Sequence, residues 1–182
     1  LQEVDLEIQH KTEVLTQVMS QLGRDDELVA ARSVLDTAKK HLADLEHQQK
    51  TEDWELDDLG SKIAVVEKKL YGGSMKNPRE LTGFQQDLEI LKAQRGERED
   101  KLLAIMIEVE TAQQDVSRKT NEFAALEKDW NDNQQMLLNQ QTELEAELAK
   151  LGQKRELIAG QTDPASLRLY EEMRRAKQGQ AV

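Results

Sequence analysis

No cysteine occurs in the chain, which rules out disulfide staples and thiolate metal sites within it. Proline appears twice, at Pro78 and Pro164, so long segments run without a strong helix breaker. Aromatic side chains make up only 3 % of the 182 residues, too few to fill the interior of an ordinary globular domain of that length. No apolar run approaches the roughly 20 residues of a membrane span, and no signal peptide is legible. No membrane association is expected, and the predicted setting is cytoplasmic. What the chain has instead is charge, on 34 % of its residues, dispersed through segments rich in Leu, Ala, Glu, Gln and Lys. That mixture predicts an all-α coiled coil with a thin apolar seam. The net charge of -11 opposes nonspecific binding of a polyanion along the arms.

The seam can be followed in order. Leu1, Ile8, Leu15 and Leu22 recur at intervals of seven, with Val4 and Val18 three further on, the pattern of an amphipathic helix over 1–22. Gly23-Arg24-Asp25-Asp26 then offers a stop and a cap, and a break or sharp kink is expected there. From Leu28 the spacing resumes through Leu35, Leu42, Gln49, Leu56, Ile63 and Leu70, with Ala31, Ala38, Leu45, Glu52, Leu59 and Val66 as companions. These define a second helix, 26–71. Beyond Tyr71 two glycines can stop it, Asn77 can cap the next, Pro78 suits a first turn, and Glu80 stands where a capping box places its acid.

The third helix, 78–160, is apolar at eleven of twelve heptad positions from Leu81 to Ile158, Arg95 being the exception. Its companion row turns polar far from the tip, at Asn133, Gln140 and Glu147, which predicts a weaker distal seam. Gly160 is expected to close this helix, and Asp163-Pro164 to open a short one. The predicted organisation is a hairpin over 1–160 with its tip at 71–78, then a short helix and lead-in over 161–182.

Helices joined by so short a turn lie antiparallel. Residues whose numbers sum to about 151 should therefore face each other, as Leu42 and Val109, or the end of the first helix and Trp130. Apolar meets apolar nearly throughout, except where Gln49 and Glu52 approach Arg95 and Arg98. That polar layer is expected to fix register, because a slip would set charges against apolar side chains.

Three surfaces stand out. At the tip Lys68, Lys69, Lys76 and Arg79, with Tyr71 and Asn77, make a basic end on an acidic coil and a candidate partner-binding site. The plainer reading of Lys68 and Lys69 is that they complement a helix dipole. Leu102-Leu103-Ala104-Ile105-Met106-Ile107 is apolar all round, yet the seam consumes mainly Leu102 and Ile105. Leu103, Met106 and Ile107 are left for a foreign partner, for the first helix, or for a second copy of the chain, as a homodimer, with Trp54 near the same level. Arg168, Arg174, Arg175 and Lys177 form a candidate nucleic-acid contact, against the plainer reading of a solvated face. His10, His41 and His47 lack metal-ligand spacing, and no catalytic constellation emerges. The chain is expected to be no enzyme and to hold no cofactor.

The tip from Leu70 to Leu81, with Gln85 and Leu88, resembles the hairpin tip of the bacterial C4-type zinc-ribbon, coiled-coil proteins. The segment from Asp25 to Arg32 resembles the same family, as do Leu169-Tyr170-Glu171-Glu172-Met173-Arg174, Lys177 and the last four residues. The resemblance therefore covers essentially the whole chain. It implies a long, kinked helical hairpin followed by a four-cysteine zinc ribbon, beginning where this sequence stops, so zinc is expected only in that absent part. It also implies an adaptor or regulator with protein partners, such as a sigma factor of the sigma-54 class or flagellar and secretion components. The leading expectation is a non-enzymatic protein-interaction scaffold. The alternatives are a nucleic-acid-binding regulator whose ribbon is missing here, and a purely structural coiled-coil rod.

Overall fold

A computed structural model describes residues 1–73 and 77–176. The fold is all-α, with α1 (Gln2–Gln21), α2 (Asp26–Tyr71), α3 (Pro78–Gln161) and α4 (Pro164–Ala176). α2 and α3 form a helical hairpin, α1 is set off from α2 by a break, and α4 is the short C-terminal helix. Packing groups the chain into two units, Leu28–Ala124 and Leu1–Glu27 with Ala125–Val182. Among the described residues no helix is long and apolar enough to cross a membrane.

The boundaries follow from local chemistry. At the end of α2 the Gly72 N–H donates to the Lys68 carbonyl at 2.9 Å, and a Cβ on Gly72 would collide with that same oxygen. Gly73 then takes φ +72, a left-handed turn that costs glycine little. α3 starts with the Asn77 side-chain oxygen accepting from the Arg79 N–H at 3.1 Å, which satisfies one of the free amides of a first turn. Asp163 does the same for α4, accepting from the Ser166 N–H at 3.1 Å. Gly160 does not close α3, which continues through Gln161. Glycine inside a helix is a modest cost, and the stop comes from the Asp163-Pro164 start signal.

In the unit Leu28–Ala124, α2 packs on the first half of α3 along both rows read from the sequence. Leu45, Ile105, Val109 and Ala112 are buried together with Leu42 against them. Nearer the tip Ile63, Leu70 and Leu88 are buried beneath Val66, Leu81, Phe84 and Leu91. No described side chain is completely enclosed, as expected where two helices share one seam.

In the other unit α1 and α4 pack on the distal part of α3. Val18, Leu137 and Leu144 are buried with Val14, Leu15 and Leu22 around them. The distal seam uses a different companion row, itself polar at three of four positions. Asn133, Gln140 and Glu147 are exposed, while Gln134, Gln141, Leu148 and Arg155, one residue later, are partly buried. An α-helix of 3.6 residues per turn drifts by about 20° per heptad against a strict seven-residue repeat, which carries the following residue onto the covered face.

The break after α1 is held against α3. Gly23, at φ 75, donates its N–H to the Gln134 side-chain oxygen at 2.8 Å, and the Trp130 indole N–H donates to the Arg24 carbonyl at 2.6 Å. Replacing Trp130 with Phe keeps most of the ring contact but removes that hydrogen bond and leaves the exposed carbonyl to water. The expected loss is about 0.5–1.5 kcal/mol in urea unfolding followed by circular dichroism. Trp54→Phe, at a 66 % exposed position, should leave the curve unchanged.

Candidate interaction surfaces

The end of α2 leaves Tyr71 in solvent, 75 % exposed, one turn from the exposed Lys68 on the same helix, and Arg79 is exposed in the first turn of α3. Two of the expected tip groups have internal work. Lys69 sits 5.5 Å from the centroid of the Phe84 ring, a cation–π contact across the seam, and the Asn77 side-chain oxygen is occupied by its cap. Lys76 lies outside the described residues.

Glu52 is the polar centre of the α2–α3 seam. Its side chain is 6 % exposed and accepts from Arg98 Nη1 at 2.7 Å and Lys101 Nζ at 2.5 Å. The hydrogen bonds from Lys101 and then Arg98 hold its carboxyl below the usual glutamate range, against the opposing effect of burial. Arg98 also stands 3.6 Å from Glu55. Arg95 does not join this layer as expected. It is exposed and pairs at 2.8 Å with Glu99 one turn along its own helix, an acid already within reach that needs no desolvation. Lys101 takes the second place on Glu52. Gln49 is partly buried nearby in sequence. Sliding one arm by a heptad would set Glu52 opposite Leu91 or Ile105, both apolar.

A second buried acid, Asp5, was not visible in the sequence pattern. Its side chain is 3 % exposed and joins three helices. Arg155 of α3 donates Nε–H to Oδ1 at 2.7 Å, Tyr170 of α4 donates its hydroxyl to Oδ2 at 2.9 Å, and Arg174 Nη1 lies 3.2 Å from Oδ1. Burial first, then the bond to Asp5, pushes the Tyr170 phenol up from its ordinary value. The hydrogen bond to Asp5 likewise raises Arg155. The readable signal would have been the pairing of opposite charges at facing positions, Asp5 with Arg155 and Lys11 with Glu147, the latter at 2.6 Å.

This node changes the standing of the C-terminal basic cluster. Arg174 is partly exposed and already engaged by Asp5. Arg168 and Arg175 are exposed, and Lys177 lies outside the described residues. The adjoining cleft, of about 620 Å³, interleaves Arg155, Arg174 and Arg175 with Glu13 and Glu171, so it presents no single sign of charge.

On the back of α3 Leu103, Met106 and Ile107 are 58 %, 45 % and 66 % exposed. Trp54 does not extend that patch. It stands between the seam residues Glu52 and Leu56 in sequence, two positions from each, which turns it to the far side of α2, whereas Leu103 and Ile107 face away from α2 altogether. His10, His41 and His47 are exposed, and among the described residues no group of His, Asp and Glu is placed to hold a metal ion.

A family model described as a CT398-like coiled coil hairpin domain matches residues 1–178. CT398 from Chlamydia trachomatis superposes with a TM-score of 0.74 at 16 % identity, over 97 % of this chain and 75 % of that one. A protein from Mycobacterium smegmatis gives 0.60 at 20 % identity, over 97 % and 74 %. HP0958 from Helicobacter pylori gives 0.55 at 19 %, over 96 % and 73 %. At these identities the likeness is one of fold. No curated protein sequence matches the chain.

Because its folded-state pKa is lowered, Glu52 contributes stability that is fully present above the ordinary glutamate value, about 4.3, and lost as pH falls through the folded value. Urea midpoints of the unaltered chain and Glu52→Gln should therefore differ most at neutral pH, with the unaltered chain the more stable. The gap should close progressively below the ordinary glutamate pKa.

Proposed function

The chain belongs to the CT398-like coiled coil hairpin family, and on that footing we propose that it is a non-enzymatic adaptor that presents its hairpin tip and one flank of its coil to protein partners. The observation that carries this reading is Tyr71, 75 % exposed at the end of α2, with exposed Lys68 one turn back on that helix and exposed Arg79 in the first turn of α3. Tyrosine and arginine are the residue types enriched at binding hot spots, and neither the seam nor the caps require that ring. The resemblance to zinc-ribbon, coiled-coil regulators extends the proposal to a cytoplasmic protein. Its partners would come from sigma-54 transcription or from flagellar and secretion assembly. Since the chain has no cysteine, any four-cysteine ribbon would be formed by residues outside this sequence. A nucleic-acid role for α4 is less favoured, given the engagement of Arg174 by Asp5.

A photo-crosslinking amino acid at position 71 tests the proposal in cells. Discrete protein adducts are expected, lost when Lys68 and Arg79 are changed to Glu, while circular dichroism and the melting curve stay unchanged. Adducts that persist in the charge-reversed chain would remove the tip from the mechanism.

A further inference from the structure

Resting on the adaptor reading, we propose that the back of α3 between Glu97 and Glu110 is the docking site for a basic amphipathic helix of a partner protein. Leu102, Ile105 and Val109 point into the seam, so helical spacing puts Glu97, Asp100, Leu103, Ala104, Ile107 and Glu110 together on the opposite face. All six are exposed. The centre of this stripe is apolar, with Leu103 at 58 % and Ile107 at 66 % exposure, and its two ends are acidic.

The charge around it is one-sided for a structural reason. Arg98 and Lys101, the cations nearest to it, are turned to Glu52, and Arg95 is held by Glu99. Glu97, Asp100, Glu108 and Glu110 are exposed and form no ion pair among the described residues. An apolar row edged by Lys and Arg on a partner helix would cover the one and neutralise the other. A second copy of this face fits badly. In an antiparallel pairing that sets Leu103 on Ile107, Asp100 meets Glu110, and in a parallel pairing each acid meets itself. The acid frame selects against self-association and toward a cationic partner.

The absence of cysteine allows a single label at Ala104→Cys, carrying an environment-sensitive dye. The probe is a synthetic Leu/Lys amphipathic helix about 18 residues long, five helical turns, compared with a Leu/Glu helix of the same apolar face. The Leu/Lys helix should bind one to one with a blue shift of the dye, and bind less tightly as salt is raised. In fluorescence anisotropy of the labelled peptide with otherwise unaltered chains, Leu103→Glu with Ile107→Glu should weaken binding about tenfold or more. So should neutralising Glu97, Asp100, Glu108 and Glu110 to their amides, which leaves the apolar centre intact. Neutralising Glu46, Asp53, Glu127 and Glu143 instead, the same loss of charge elsewhere, should change it little.

An equal loss in that control, or equal binding of the Leu/Glu helix, overturns the proposal. So does a chain that sediments as a dimer at high micromolar concentration and becomes monomeric on Leu103→Glu with Ile107→Glu, which would assign the face to a second copy. Crosslinking at position 71 does not depend on this face, so a failed peptide test leaves the adaptor reading standing.

Discussion

A seam between two helices is one side chain deep, and the rest of this structure depends on that limit. Each helix can turn about two rows of residues toward its neighbour, and everything else along it meets solvent. α2 and the first half of α3 fill the seam with Leu45, Leu59, Ile63, Leu70, Leu88, Ile105 and Val109, yet no described side chain is wholly enclosed. Stability is therefore collected in small amounts along a great length. The apolar residues left outside, such as Leu103 and Ile107 on α3, have no second layer of this chain against their face.

Within so thin a seam a buried charge has a large effect on alignment. Among the described residues Glu52 and Asp5 are the buried acids, and each is satisfied by cations from a helix remote in sequence. Burying a paired charge contributes little net stability, but breaking the pair by a slip leaves an uncompensated charge. The apolar rows repeat every seven residues and would tolerate a slip by one heptad. Glu52 would not, and Asp5 similarly ties α1, α3 and α4 to one mutual position. These same pairings engage Arg98, Lys101, Arg155 and Arg174 within the chain. The electrostatic character of the surfaces is thus decided largely by which cations the seams have taken.

Turn chemistry supplies the remaining order. Gly72 and Gly73 end α2 and Asn77-Pro78 begins α3, so Tyr71 stands exposed as the last residue of α2. The break at Gly23 works differently. It is fixed from outside, by the side chain of Gln134 and the indole of Trp130 on α3, so its conformation is a property of the packed unit.

The sequence alone determined the helices, their punctuation, the antiparallel pairing around the tip and the seam residues of α2 and proximal α3. It could do so because those features follow from a seven-residue spacing and from the backbone preferences of Gly, Pro, Asn and Asp, all of which act over a few residues. It also brought Glu52 and Arg98 together by simple counting from the turn. Only the tertiary structure decided that Arg95 would choose Glu99, that Lys101 would take its place, and that the distal seam would run through Gln134 and Leu148. Only there does Asp5 gather Arg155, Tyr170 and Arg174. The reason is physical: helical drift accumulates with distance from the tip, and α1 and α4 reach α3 across breaks whose geometry no local spacing encodes. A residue such as Asp5 acquires its partners only when three helices have taken their places.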